Sequence, residues 1–239
     1  MFFPERITKI KPGDRVLEIG PGSSPHPRAD VLLERRYSSL SEYMAQCGDQ
    51  GLKENDQRVV LYDGDRFPFI DSQFDYVICS HVLEHVEDIE KFVVEIFRVA
   101  KAGYFEYPLI YYDYIYDIAE HVTFLKKRGD ALVYCPKKEL LSSELASVRQ
   151  LFHESSNSGH FSLVRALLPY LFEGFEWSAP FTLRSAKNAE ELCLDPLVIP
   201  PPASEPFGFK YHLHGMLKSV GDRLSHICNT LIFSKIPSN

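Results

Sequence analysis

The sequence predicts an α/β protein built on a mostly parallel sheet, and three observations predict it. Five short apolar runs lie in the first half of the chain, each with the length and composition of a strand buried on both faces. One segment between the fourth and fifth of these runs has helical rather than alternating spacing. The runs are separated by connectors too long for hairpin turns, which is the pattern of βα units.

The strands follow in order. "DRVLEIG" (14–20) is a short apolar run closed by glycine, and "ADVLLE" (29–34) repeats the pattern. "QRVVLYD" (57–63), "FDYVICS" (74–80) and "AGYFEYP" (102–108) are the third, fourth and fifth. Between the last two, Ile89, Phe92, Val93, Ile96, Phe97 and Ala100 fall on one helical face over 88–101, with Asp88 as N-cap. Beyond Pro108 the pattern weakens. The run 108–125 is tyrosine-rich and irregular, 160–172 reads as an amphipathic helix, and the "EGFEW" stretch with 229–236 reads as a late pair of strands. Five of the 16 prolines fall in 194–209, a loop or rigid excursion.

Composition narrows the function classes. A chain of 239 residues suits one large domain, and 45% hydrophobic with 25% charged residues is the range of soluble globular proteins. A net charge of −7 argues against a dedicated nucleic-acid binder, so no DNA partner is expected. Five scattered cysteines (Cys47, Cys79, Cys135, Cys193, Cys228) without paired spacing read as reduced thiols. Neither a signal-like N-terminus nor a membrane-spanning apolar run is visible, so the expected location is cytoplasmic.

The first strand ends in "GPG", a turn in which glycine lets the backbone approach a ligand. A pyrophosphate would want a helix N-terminus behind that turn and an acid about 20 residues on. Here Pro25 and Pro27 follow almost at once, and Glu34 comes 12 residues after Gly22. A dinucleotide-dependent oxidoreductase is therefore disfavoured, and a phosphate-free ligand fits better. His81 and His85 stand at i, i+4, but "HVLEH" is not the zincin pattern and shows no third ligand. His212 and His214 have no cysteine partner nearby, so no metal is expected.

"VLEIGPG", together with "DGDRFPFIDSQFDYVICSHVLEHVEDIEKFVVEIFRVAKAG", resembles a class I S-adenosylmethionine-dependent methyltransferase of the subgroup often labelled type 11. The resemblance covers roughly the first 125 residues. It implies a Rossmann-like, mostly parallel seven-stranded sheet flanked by helices, with a C-terminal substrate-side insertion before the last strand. The whole chain, 1–239, is then one domain: a cofactor-binding core over 1–125, with 109–159 and 180–228 as substrate or lid segments.

The resemblance also implies roles. Glu18, Gly20 and Gly22 form the first motif, with Glu18 near the methionine ammonium; its bland alternative is a solvated charge at a strand end. Glu34 would accept from the two ribose hydroxyls, with Asp30 its local competitor. Asp63 would accept from the adenine amino group, with the Gly64 amide near a ring nitrogen. Ser80 and His81 would lie beside the sulfonium and methionine tail. Asp65 and Asp75 read as turn and structural residues, and His85 as a capping residue or a substrate contact. His121, in "EHVTFL", would face the acceptor as a general base, with His81 the other candidate; a loop-holding histidine is the alternative. Tyr107, Tyr111, Tyr112, Tyr114 and Tyr116 either line an aromatic pocket or simply pack.

The implied activity is methyl transfer from S-adenosylmethionine to an O or N nucleophile of a small-molecule, sugar or glycan-like acceptor. The rival from another class is a catalytically silent, methyltransferase-like binding or regulatory subunit.

Overall fold

The computed structural model describes residues 1–39, 58–63, 66–140 and 162–194. Strands β1 (Val16–Ile19), β2 (Val31–Arg35), β3 (Arg58–Tyr62), β4 (Tyr76–Ser80) and β5 (Gly103–Pro108) fall where the apolar runs place them. They pair in the order β3-β2-β1-β4-β5, all parallel, and β8 (Phe172–Trp177) adds to β5 antiparallel. The main sheet thus has six strands among the described residues, not seven. The expected last strand, 229–236, and the proline-rich 194–209 beyond Leu194 lie outside them.

Every residue of β1, β4 and β5 is buried, as a central strand requires. β3 differs from expectation: it is the edge of the sheet, and Val59 and Leu61 are exposed. The helix α1 (Ile89–Val99) opens on Asp88, whose side chain accepts from the Lys91 amide. Ile89, Val93, Ile96 and Val99 form its buried stripe and join Leu17, Leu33, Val77 and Phe105 in the principal core.

Between β1 and β2 there is no helix. The loop over 20–30 is pinned instead by backbone bonds from Gly20 N to Leu33 O (2.9 Å) and from Asp30 N to Val16 O (2.9 Å). Gly20 and Gly22 both take positive φ, +60° and +58°. A Cβ at Gly20 would stand 2.5 Å from Cγ2 of Val82, so the turn presses directly on the segment after β4.

The tyrosine-rich run is more ordered than its sequence suggests. It holds a short helix α2 (Ile110–Tyr116), and the chain then forms a hairpin of β6 (Thr123–Arg128) and β7 (Ala131–Pro136). β9 (Thr182–Ser185) joins β7 in parallel to make a second, three-stranded sheet. Ile110, Phe124, Val133, Cys135 and Leu192 give this layer its own small core. The helix α3 (Ser162–Leu171) leads into β8, in the place expected for an amphipathic helix. No helix among the described residues is long and apolar enough to cross a membrane.

Candidate active site

The sheet order reverses between β1 and β4, and open α/β sheets bind ligands at the carboxyl edge of such a switch point. A cavity of about 1070 Å³ opens there. Gly20, Gly22, Glu34, Ser80 and His81, five of the residues singled out from the sequence, line it together. Tyr62 and Phe67 supply an apolar wall that sequence reasoning missed, with their rings edge-to-face at 5.2 Å.

Phe67 is held from behind. Its amide donates to Glu95 Oε2 (2.8 Å), its carbonyl accepts from Arg98, and its ring packs on Phe92 at 5.3 Å. Arg98 also ties Phe69 O and Asp71, so one half-buried guanidinium links the turn over 67–71.

Glu34 is 6% exposed. Its Oε1 accepts from the Arg35 amide (2.9 Å) and the Tyr37 hydroxyl (3.3 Å), whereas its buried Oε2 has no partner among the described residues. Burial pushes its carboxyl above the ordinary range, with those two donors acting in the opposite sense. Its competitor is otherwise engaged: Asp30 Oδ2 accepts from the Val16 amide at 2.7 Å, on the β1 side. Of the two acids, only Glu34 lines the cavity.

Three of the expected residues do not line the cavity. Glu18 is buried, its Oε2 accepting from the His26 amide at 2.7 Å, and burial raises its carboxyl to about 7. It holds the loop that replaces the first helix. Asp63 is exposed and lies 3.3 Å from Arg36 Nε. His121 does not line the cavity, while its chain neighbours Glu120 and Val122 do, together with His85. Gly64 and Asp65 lie outside the described residues, as do His212 and His214.

The floor beneath Ser80 and His81 rests on Glu106, an acid inside the fully buried strand β5. Glu106 accepts from the amides of Phe2 (2.5 Å) and Phe3 (3.1 Å), the Ser80 hydroxyl (3.2 Å), His81 Nε2 (2.9 Å) and the Tyr104 hydroxyl (2.6 Å). Burial works against its charge, but these donors outweigh it and hold the carboxyl at about 2. The sequence does carry a signal for this residue, a lone acid in an otherwise apolar run. His81 takes a left-handed backbone, φ +57°, which turns its ring between Glu106 and Glu84. Burial lowers its basicity, but the two carboxylates outweigh burial and raise it overall. That environment favours the cation, which suits His81 to donating rather than to accepting a proton.

At the far end of the cavity a turn of 3-10 helix, Leu83–His85, packs on the start of β6. Val122 N donates to Glu84 O (2.7 Å) and Thr123 Oγ1 to Val86 O (2.9 Å). The rings of His85 and His121 meet edge-to-face at 4.9 Å. Burial lowers the basicity of His85, so a neutral imidazole faces the cavity. No third ligand joins the pair His81 and His85 among the described residues, but a different grouping forms: one ligand atom each from Glu84, His85 and His121 lie mutually within 4.8 Å. The grouping is invisible in sequence because His121 arrives from a distant segment.

The tyrosines mostly pack. Tyr107 is fully buried and donates to Glu173 (2.7 Å), Tyr111 accepts from the Leu194 amide (2.8 Å), and Tyr114 donates to Leu140 O (3.1 Å). None of the five lines the cavity.

Comparison with known proteins agrees with the motif-bearing half. Residues 17–105 match the family described as "Methyltransferase domain". A demethylmenaquinone methyltransferase of Renibacterium salmoninarum is 34% identical over 94 residues, 38% of this chain and 39% of that protein. The chain therefore spans well under half the length of this curated relative. Among solved structures, the YcgJ protein of Bacillus subtilis aligns with a TM-score of 0.32 at 21% identity, over 42% of this chain and 47% of that one. A SAM-dependent methyltransferase of Thermotoga maritima, described as a possible histamine N-methyltransferase, aligns with a TM-score of 0.30 at 22% identity, over 44% and 49%.

Proposed function

We propose that this chain, whose residues 17–105 match a methyltransferase-domain family, transfers a methyl group from S-adenosylmethionine to an O or N nucleophile of a small-molecule, sugar or glycan-like acceptor. The observation that carries the reading is the meeting of Gly20, Gly22, Glu34, Ser80 and His81 on one cavity at the switch point. The residues fit the cofactor on two counts. A buried, unpartnered oxygen of Glu34 suits a ribose hydroxyl donor, and the left-handed glycine turn lets the backbone come close.

Bound S-adenosylmethionine supplies an already electrophilic methyl, which passes to an acceptor lone pair as its bond to sulfur breaks onto sulfur. The chain's own residues have mainly to align the two partners and exclude water. Tyr62 and Phe67 receive the adenine, and Glu34 fixes the ribose. Asp63 meets the adenine amino group by exchanging its exposed partner Arg36, a pair whose loss costs little. Ser80 and His81 border the methionine end, where the Glu106 hub keeps them in place.

The acceptor end is assigned to His85 and His121. The second sheet and 109–140 build that side, and the negative net charge favours a small or glycan-like acceptor over a nucleic acid. His121 acts through or beside His85, with Asp113 fixing its ring. His121→Ala is expected to lower turnover at least a hundredfold while changing cofactor affinity less than threefold. Single-turnover release of S-adenosylhomocysteine, set beside calorimetric cofactor binding, measures both. Equal losses in the two would make His121 a structural residue, and wild-type binding without turnover on any acceptor would favour the silent-subunit reading.

A further inference from the structure

We propose that Glu84, His85 and His121 form a binding site for a divalent first-row transition metal ion, opening onto the acceptor end of the cavity. Three ligand atoms already lie within 4.8 Å of one another, close enough to share one ion with small adjustments. A site of two imidazoles and one carboxylate suits Zn²⁺, Mn²⁺, Fe²⁺ or Co²⁺; Mg²⁺ and Ca²⁺ prefer all-oxygen ligand sets.

The state of each ligand points the same way. Glu84 is completely buried, and neither carboxylate oxygen accepts a hydrogen bond among the described residues. Its nearest cationic group, His81 Nδ1, stands 3.3 Å from Oε1 without hydrogen-bond geometry, and is itself bonded through Nε2 to Glu106. Glu84 and Glu106 share the one His81 cation between them, so this buried pair of carboxylates keeps an excess of negative charge that a further cation would offset. A metal ion is the compact group that fits between Glu84 and two imidazoles.

Both histidines are also oriented as ligands. His85 Nδ1 lies 2.9 Å from the Glu120 carbonyl, which can only accept, so Nδ1 carries the proton and Nε2 keeps its lone pair. His121 Nδ1 lies 3.0 and 3.1 Å from the two oxygens of Asp113, leaving Nε2 free in the same way. Asp113 is buried in α2, with Lys137 Nζ at 3.4 Å from Oδ1. Carboxylate-to-imidazole and carbonyl-to-imidazole bonds of this kind fix the tautomer and aim of metal-binding histidines. The bond from Val122 N to Glu84 O and that from Thr123 to Val86 lock the two ligand-bearing segments together, so the site is preformed.

Of the three, His85 lines the cavity, so the ion's open position faces it. An acceptor hydroxyl on that position would be held and made more acidic, its proton leaving to water in the cavity. This role rests on the methyl-transfer reading, whereas the binding of the ion does not.

The test is a titration of tag-free protein, dialysed against chelator, with Co²⁺, followed by visible absorption. The expected result is saturation near one equivalent with ligand-field bands of a nitrogen- and oxygen-bound ion, displaced by Zn²⁺ and not by Mg²⁺. His85→Ala, at a half-exposed position, should keep its circular dichroism and weaken binding at least a hundredfold. Asp113→Asn should weaken it roughly tenfold or more through His121. Folded wild type that binds no Co²⁺, or a His85→Ala protein that binds it unchanged, overturns the site. Calorimetry with S-adenosylhomocysteine on the same samples separates the two readings. Cofactor binding without Co²⁺ binding removes only the metal, and the converse removes only the methyltransferase reading.

Discussion

Replacing Glu106 by alanine should lower stability by about 3–5 kcal/mol, the usual cost of removing one partner from a buried charged network. The melting midpoint should drop by roughly 10 °C for a chain of this size. The variant leaves His81, Tyr104, Ser80 and the Phe2 and Phe3 amides without their common acceptor. The loss also has a pH signature. The folded carboxyl sits at about 2, against 4.5 for the free group. A depressed acid contributes stability that is fully present above 4.5 and lost as pH falls toward 2, here about 3 kcal/mol. His81, raised overall despite burial, acts in the other direction: its contribution is present below its ordinary 6.5 and is lost as pH rises through its folded value. Thermal melts of wild type and Glu106→Gln should therefore differ most between pH 4.5 and 6.5 and converge as pH falls toward 2. A constant difference across that range would mean the hub is not held by charge.

Glu34→Ala should cost about 2–4 kcal/mol of S-adenosylhomocysteine affinity, a thirtyfold to several-hundredfold rise in Kd, with little change in melting temperature. The asymmetry follows from the local geometry. Oε1 has two local partners, the Arg35 amide and Tyr37, whereas the buried Oε2 has none among the described residues, and Glu34 lines the cavity. Deleting the side chain removes a carboxylate that burial penalises, so the free protein loses little. The bound ribose loses its acceptor. The paired control is Asp30→Asn, which should disturb β1 through the Val16 amide and leave cofactor affinity nearly unchanged. Isothermal calorimetry on both variants decides between these two acids.

How much of this was legible in the sequence depended on what each element needed. Strands β1 to β5 and α1 were legible because burial on both faces writes a continuous apolar run, and burial on one face writes a helical stripe. The edge position of β3 was not, because "RVVLY" reads like any buried strand until its neighbours are known. The second sheet was missed for a related reason: "TFLKKR" carries three cations, and Lys126 is buried only because Glu173 of β8 meets it. α2 was hidden by its run of aromatic and β-branched residues, which have weak helix propensity, so tertiary packing decides it.

The site divides in the same way. Gly20, Gly22, Ser80 and His81 were readable because they follow strand ends at the edge where ligands bind. What distinguishes Asp30 from Glu34 is its bond to one backbone amide 14 residues away, which no spacing rule reports. Glu18, a strand-end acid beside a glycine turn, looks exposed in the sequence but is buried and does not line the cavity. The proline-stiffened loop folds back and covers it through His26. The grouping of Glu84 with His85 and His121 was not legible either, because the burial of Glu84 cannot be seen in "HVLEH" and His121 arrives from a distant segment.

The central claim is that the switch-point cavity takes a phosphate-free, sulfonium-bearing cofactor. The most direct test titrates wild-type protein in a calorimeter with S-adenosylmethionine and, separately, with NAD. Saturable one-site binding of S-adenosylmethionine, with no heat from NAD, is the predicted result. Binding of NAD, or no binding of S-adenosylmethionine by folded protein, would contradict the account.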